Sequence, residues 1–170
     1  MISKQQLLRD QVIKFFEDES HTRILFQCVK SSNPISLRLL DWFVTTYCKV
    51  NSNRIASEIG VDIYNSYKGQ LKSYNKIFFD PFCRNNNKTK NNKSSYINME
   101  YDNISFNTSL GQLNFFRWVI NTNIIPYIQK NIVYLKQQSR LKARCRNPNI
   151  NNPEVCLLEK EKKYYYSVSF

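Results

Sequence analysis

Three patterns in the sequence predict an α+β fold: mainly helical, a single domain, with a small antiparallel sheet. Apolar residues recur at three- and four-residue spacing over residues 3–16, 35–49, 67–79 and 110–138, the period of a helix with one buried face. Alternation replaces that period over residues 96–106, with Asp102–Asn103 in the middle, which signals a β-hairpin. The closing EKEKKYYYSVSF alternates again and predicts a terminal strand that pairs with the hairpin. A chain of 170 residues with 42% hydrophobic content can bury the core such a fold needs.

Each element has a local reason. In residues 3–16, Leu7, Leu8, Val12, Phe15 and Phe16 share one face and Ser3 can cap the start. EDES interrupts this pattern before RILFQCVK (23–30), which reads as a second helix or a continuation of the first. SSNP is punctuation, because Pro34 restricts Asn33. ISLRLLDWFVTTYCK (35–49) follows with Ser36 as cap. Leu39, Leu40, Phe43, Val44 and Tyr47 cover one side, and Trp42 belongs to the core or its rim. IGVDIY (59–64) alternates partly and predicts a short strand, bent at Gly60. In 110–138, Thr108 or Ser109 caps a mostly buried helix, and Pro126 predicts either two helices or one kinked helix. Residues 1–138 are thus expected to form the globular domain, with an Asn/Lys-rich loop at 85–95. A basic tract at 139–153 and a C-terminal strand at 154–170, packing back on the domain, complete the chain.

The most specified stretch is YKGQLKSYNKIFFDPFCR (67–84). Lys68, Lys72 and Lys76 lie four residues apart, so a regular helix lines three ammonium groups on one face. Leu71, Tyr74, Ile77 and Phe78 form an apolar stripe, and Pro81 ends the helix near Phe79. The FDPFCR turn then folds Phe79 and Phe82 back as anchors.

Charge is the strongest compositional signal. With 25 Lys and Arg against 13 Asp and Glu, the formal charge is +12, which favours polyanionic partners. No acidic residue occurs from Asn103 to Pro153, while Arg117, Lys130, Lys136, Arg140, Lys142, Arg144 and Arg146 accumulate. Such crowding is repulsive in isolation, and a bound polyanion relieves it. Lys136, Arg140, Lys142, Arg144 and Arg146, with Lys68, Lys72 and Lys76, are the candidate nucleic-acid-binding residues.

Other chemistries find little support. The N-terminus carries charges throughout and lacks the apolar run of a signal peptide, and no stretch has the roughly 18 apolar residues of a membrane span. An intracellular setting without a membrane is therefore expected, and the five cysteines are expected to be reduced thiols, mostly buried. They form no CxxC pair, and His21 has no second His or Cys at metal-ligand spacing. No metal, cofactor or catalytic residue is assigned. Asp80 beside Arg84 is read as an ordinary helix-terminal pair rather than a nuclease centre.

LDWFVTTYCK (40–49), YKGQLKSYNKIFFDPFCR (67–84), NISF (103–106) and TSLGQLNFFRWVI (108–120) resemble, in this order, an uncharacterised protein family shared by mimivirus-like nucleocytoplasmic large DNA viruses. The Asn/Lys insertion at 85–95 and residues 153–159 depart from its pattern. The resemblance implies a giant-virus protein expressed in the host cell cytoplasm, in or near the viral factory, with packaging in the virion as a further expectation. It assigns no activity. Together with the charge, it leads to the expectation of a non-enzymatic viral accessory protein. That protein would bind DNA or RNA through phosphate contacts, with little sequence specificity, in transcription, replication or genome packaging. The alternative is a virion structural or adaptor protein that docks an acidic viral protein, marked by exposed aromatic residues.

Overall fold

The computed structural model describes residues 3–30, 34–82 and 96–145, with side chains through Leu141. The architecture is mainly helical α+β with one two-stranded antiparallel sheet, as expected. The chain divides into two compact units, residues 1–130 and residues 131–170.

In the first unit, α1 (Lys4–Phe15) starts at Ser3, whose Oγ accepts the Gln6 N–H. Leu8, Val12 and Phe16 are buried, whereas Leu7 is exposed at the margin of the stripe. Helix α2 (Glu19–Val29) is separate and begins inside EDES, because Asp18 caps it through the Ser20 N–H. The carbonyls at the end of α1 are satisfied from α2. Thr22 donates to Phe16 O, and His21 Nδ1 lies 2.8 Å from Phe15 O with its ring stacked on Phe15. The one histidine is thus a joint between two helices.

Ser36 caps α3 (Leu37–Trp42), which continues through a π-helical turn at Phe43–Tyr47 into α4 (Cys48–Val50). The Cys48 N–H bonds Phe43 O across the wider turn. That extra residue per turn keeps Leu39, Leu40, Phe43, Val44, Tyr47 and Cys48 all in the core.

The strand expected at residues 59–64 does not exist. This segment instead closes α5 (Ser52–Ile59) and opens α6 (Ile63–Phe78). Gly60 has a φ of 83° and terminates α5 in the left-handed conformation, and Asp62 caps α6 by accepting the Asn65 N–H. A C-terminal glycine followed by an N-capping aspartate resembles alternation when flanked by Ile59, Val61 and Ile63. Punctuation of two helices, not strand periodicity, produces the pattern.

The hairpin forms as expected. β1 (Tyr96–Tyr101) pairs with β2 (Ile104–Ser109), and Asp102 and Asn103 both take positive φ in the two-residue turn. Met99 opposes Phe106 and Ile97 opposes Thr108 on the inner face. Phe26 of α2 covers that face, with its ring 5.3 Å from Tyr101 and 5.4 Å from Phe106.

Helix α7 (Leu110–Asn121) begins at Ser109, which accepts the Gln112 N–H, and buries nine of its twelve residues. A helix covered on nearly all sides must lie at the centre of the packing, and α1, α2, α6 and α8 (Ile124–Lys130) all contact it. The interruption expected at Pro126 falls earlier, at Thr122–Asn123, where Asn123 has a φ of 53°. Pro126 then occupies the first turn of α8, where its missing N–H has no partner to lose.

The turn after α6 is fastened to α7 by buried polar groups. Gln112 Nε2 donates to Pro81 O at 2.7 Å, and Thr108 Oγ1 donates to Gln112 Oε1 at 2.9 Å. Asn114 Nδ2 donates to Phe78 O, and the Asp80 N–H to Gly111 O. Phe79 inserts among Tyr67, Phe115 and Trp118, and Trp118 Nε1 donates to Ser66 of α6. Phe79 is the deep anchor expected of this turn, while Phe82 is half-buried.

The second unit contains α9 (Ile132–Cys145), opened by the Leu135 N–H to Asn131 O. The helical run expected over 110–138 is thus broken a second time, at Asn131 between α8 and α9. The expected basic tract begins within α9. The loop at 85–95 and the C-terminal strand at 154–170 lie outside the described residues.

Candidate nucleic-acid interface

Helix α6 carries the first group of candidate lysines. Its carboxylate cap, Asp62, accepts from the Asn65 N–H, from Ser52 Oγ and from Asn65 Nδ2. The Asn65 N–H, above all, holds the Asp62 carboxyl below its ordinary pKa of 3.8. Lys68 and Lys72 are exposed on successive turns of the regular helix.

The line does not continue to Lys76. Asn75 has φ 52° and ψ −179°, a backbone state close to glycine's preserve, and breaks the helix between Lys72 and Lys76. Its Oδ1 accepts the Ile77 N–H and so caps the short final turn. The break brings Ile77 and Phe78 against α7, where Gly111 leaves no room for a side chain. A Cβ there would stand 2.7 Å from Ile77 O. Lys76 is exposed beyond the break, and the expected face of three lysines is therefore two plus one. Ile77 is 61% exposed, so the apolar stripe also fails at this point.

A different pair of cations converges instead. Lys49 Nζ, from α4, stands 6.0 Å from the centroid of the Tyr64 ring, and Lys68 Nζ stands 5.8 Å from the same point. Both ammonium groups are exposed and the ring is half-buried. Arg54 of α5 lies over Tyr47 in a similar way and hydrogen-bonds its hydroxyl. Sequence reasoning missed Lys49 and Tyr64, because they lie on different helices and share no local spacing. Only the Tyr64/Lys68 half, at i and i+4, was there to be read.

In the second unit, Lys136, Arg140 and Arg144 occupy successive i, i+4 positions of α9, and Lys142 falls between the last two. Arg146 lies outside the described residues. The two groups of cations belong to different units.

Four of the acidic residues gather elsewhere. Glu17, Glu19, Glu100 and Asp102 border an open cleft of about 390 Å³ between α2 and the hairpin, together with Phe16, Thr22, Tyr101 and Asn103. Its four carboxylates make this surface acidic. Among the described residues, no group of three or more His, Cys, Asp or Glu side chains is placed to hold a metal ion. Asp80, weighed as a nuclease carboxylate, accepts the Phe82 N–H and organises its own turn. Cys28 and Cys48 are buried free thiols. Burial pushes Cys28 up to about 12 and Cys48 higher still, with the Asp62 charge adding to the second. No helix among the described residues is long and apolar enough to cross a membrane.

A model for a family described as a family of unknown function, DUF7197, matches residues 1–163. The chain belongs to this family. The "Uncharacterized protein L507" of Acanthamoeba polyphaga mimivirus is 34% identical over 144 residues, which cover 81% of this chain and 54% of the relative. The chain thus spans about half the length of the curated relative it matches. The giant-virus family expected from the sequence blocks is the one found. In this DUF7197 chain, two of those blocks, residues 67–84 and 108–120, meet at the Gln112, Asn114 and Gly111 contacts. No solved structure matches the chain.

Proposed function

We propose that this protein is a non-enzymatic accessory protein of a giant virus that binds nucleic acid through phosphate contacts, with little sequence specificity. The observation that carries the reading is the convergence of Lys49 and Lys68 over Tyr64, with Lys72 exposed one turn further along α6. Lys68 and Lys72 repel one another at i, i+4, an arrangement that costs a few tenths of a kcal/mol and that a polyanion reverses. Asp62, at the start of α6, is engaged by the α6 N-terminus and Ser52, and the acidic cleft is bordered by other elements. In the second unit, Lys136, Arg140, Lys142 and Arg144 add a second set of cations on α9, continued by Arg146 in sequence.

Cations without a groove-reading motif contact the backbone rather than base edges, so affinity is nearly uniform across sequences. Transcription, replication or genome packaging in the viral factory, or carriage in the virion, would use such binding. The adaptor reading, with an acidic viral protein as partner, predicts exposed aromatic residues. Among the described residues only Tyr96 and Tyr134 meet that description, and it takes second place.

The test is the Arg140/Arg144/Arg146 triple alanine variant, measured against wild type on DNA and RNA. Each lost phosphate contact is expected to weaken binding evenly across sequences and to lower the slope of log K against log salt by about one. Undiminished binding by the variant at low salt contradicts a role for this tract.

A further inference from the structure

We infer that Lys49, Tyr64 and Lys68 form a stacking site for single-stranded nucleic acid: the Tyr64 ring receives one base, and the two ammonium groups take the phosphates on either side of it. The inference rests on the nucleic-acid reading above and narrows it to the unpaired strand. At 6.0 and 5.8 Å from the ring centroid, both cations are at the outer limit at which an aromatic face attracts them. An arriving base replaces them over the ring, and each Nζ turns outward on its flexible stem toward a phosphate.

The ring is carried by a helix rather than a loop. Tyr64 is half-buried in the second position of α6, directly after the Asp62-capped start and beside the buried Ile63. Lys49 arrives from α4 and Lys68 from α6, and these two helices pack on each other. The spacing of the two cations is therefore set by helix packing rather than by a loop. Lys72 extends the cationic row along the strand.

This composition discriminates between forms of nucleic acid. A duplex offers phosphates but keeps its base faces stacked inside, so it gains from the lysines alone. A single strand gains from the lysines and from the ring, and every base has a face to stack.

The experiment uses the full chain with labelled single-stranded DNA, single-stranded RNA and duplex DNA of equal length, across a salt series. Tyr64→Leu is expected to lower affinity for at least one of the two single strands by about tenfold while leaving duplex binding within about twofold. Tyr64→Phe keeps the ring and is expected to bind as wild type. Lys49→Ala and Lys68→Ala are each expected to reduce the salt slope by about one on the single strand. If Tyr64→Leu changes neither single strand, or weakens single strand and duplex alike, the stacking site is overturned and the phosphate-binding reading stands. If wild type binds none of the three at low salt, both fall.

Discussion

Asn75 and Gly111 form a matched pair across the α6–α7 contact. Asn75 takes a backbone conformation that costs a non-glycine residue about 1–3 kcal/mol, and in return the last turn of α6 reaches α7. Asn75→Gly relieves that strain and sacrifices only the side-chain cap on Ile77, which glycine replaces at a loss of a few tenths. A gain of about 1 kcal/mol in denaturant unfolding is expected, and Asn75→Ala, which keeps the strain and loses the cap, is expected to destabilise. Gly111 permits the approach from the other side. Gly111→Ala drives a methyl group to 2.7 Å from Ile77 O, so a loss of about 1–3 kcal/mol is expected, with the two helices pushed apart. Gln112 is the third member. Its replacement by Leu leaves Pro81 O without its buried donor, and a comparable loss of about 1–3 kcal/mol is expected in the same assay.

At the scale of elements, the capping residues govern where helices start. Asp62→Ala is expected to cost about 1 kcal/mol by removing the acceptor from the Asn65 N–H, while Asp62→Asn, another good cap, retains most of it. The sign of the pH dependence follows from the lowered pKa. The carboxylate contributes its stability above the unfolded pKa of 3.8, and that contribution is lost as pH falls through the lower folded value. Acid titration of wild type against Asp62→Asn checks this: the difference between the two should shrink below pH 3.8. The same local chemistry made much of the fold legible in the sequence. Ser3, Ser36 and Ser109 each cap the helix expected of them, and Asp102–Asn103 turns the hairpin. Where sequence reasoning failed, the cause lay at a junction or across the core. Gly60 and Asp62 separate two helices, yet among apolar neighbours they imitate a strand. The break at Asn75 depends on Gly111, a residue far along the chain, so no window around Lys68–Lys76 reveals it. Lys49 meets Tyr64 only because α4 packs on α6.

For the whole molecule, the formal charge of +12 comes from 25 Lys and Arg against 13 Asp and Glu. The first unit has exposed lysines at α4 and α6 and an acidic cleft between α2 and the hairpin, and the second unit carries its cations along α9. If the phosphate-binding proposal holds, the separation of lysines from carboxylates within the first unit orients an approaching polyanion as well as attracting it. Aromatic residues build much of the core among the described residues: Phe79, Phe115, Phe116 and Trp118 are all buried at or against α7. Composition alone raised the expectation of an anionic partner but could not assign it to particular helices. The most direct measurement is the affinity of purified, nuclease-treated full chain for single-stranded and duplex nucleic acid as salt is raised. Phosphate binding predicts a linear fall of log K with log salt, steep enough to count several contacts, on sequences of any composition. No detectable binding at low salt, or binding indifferent to salt, would contradict it.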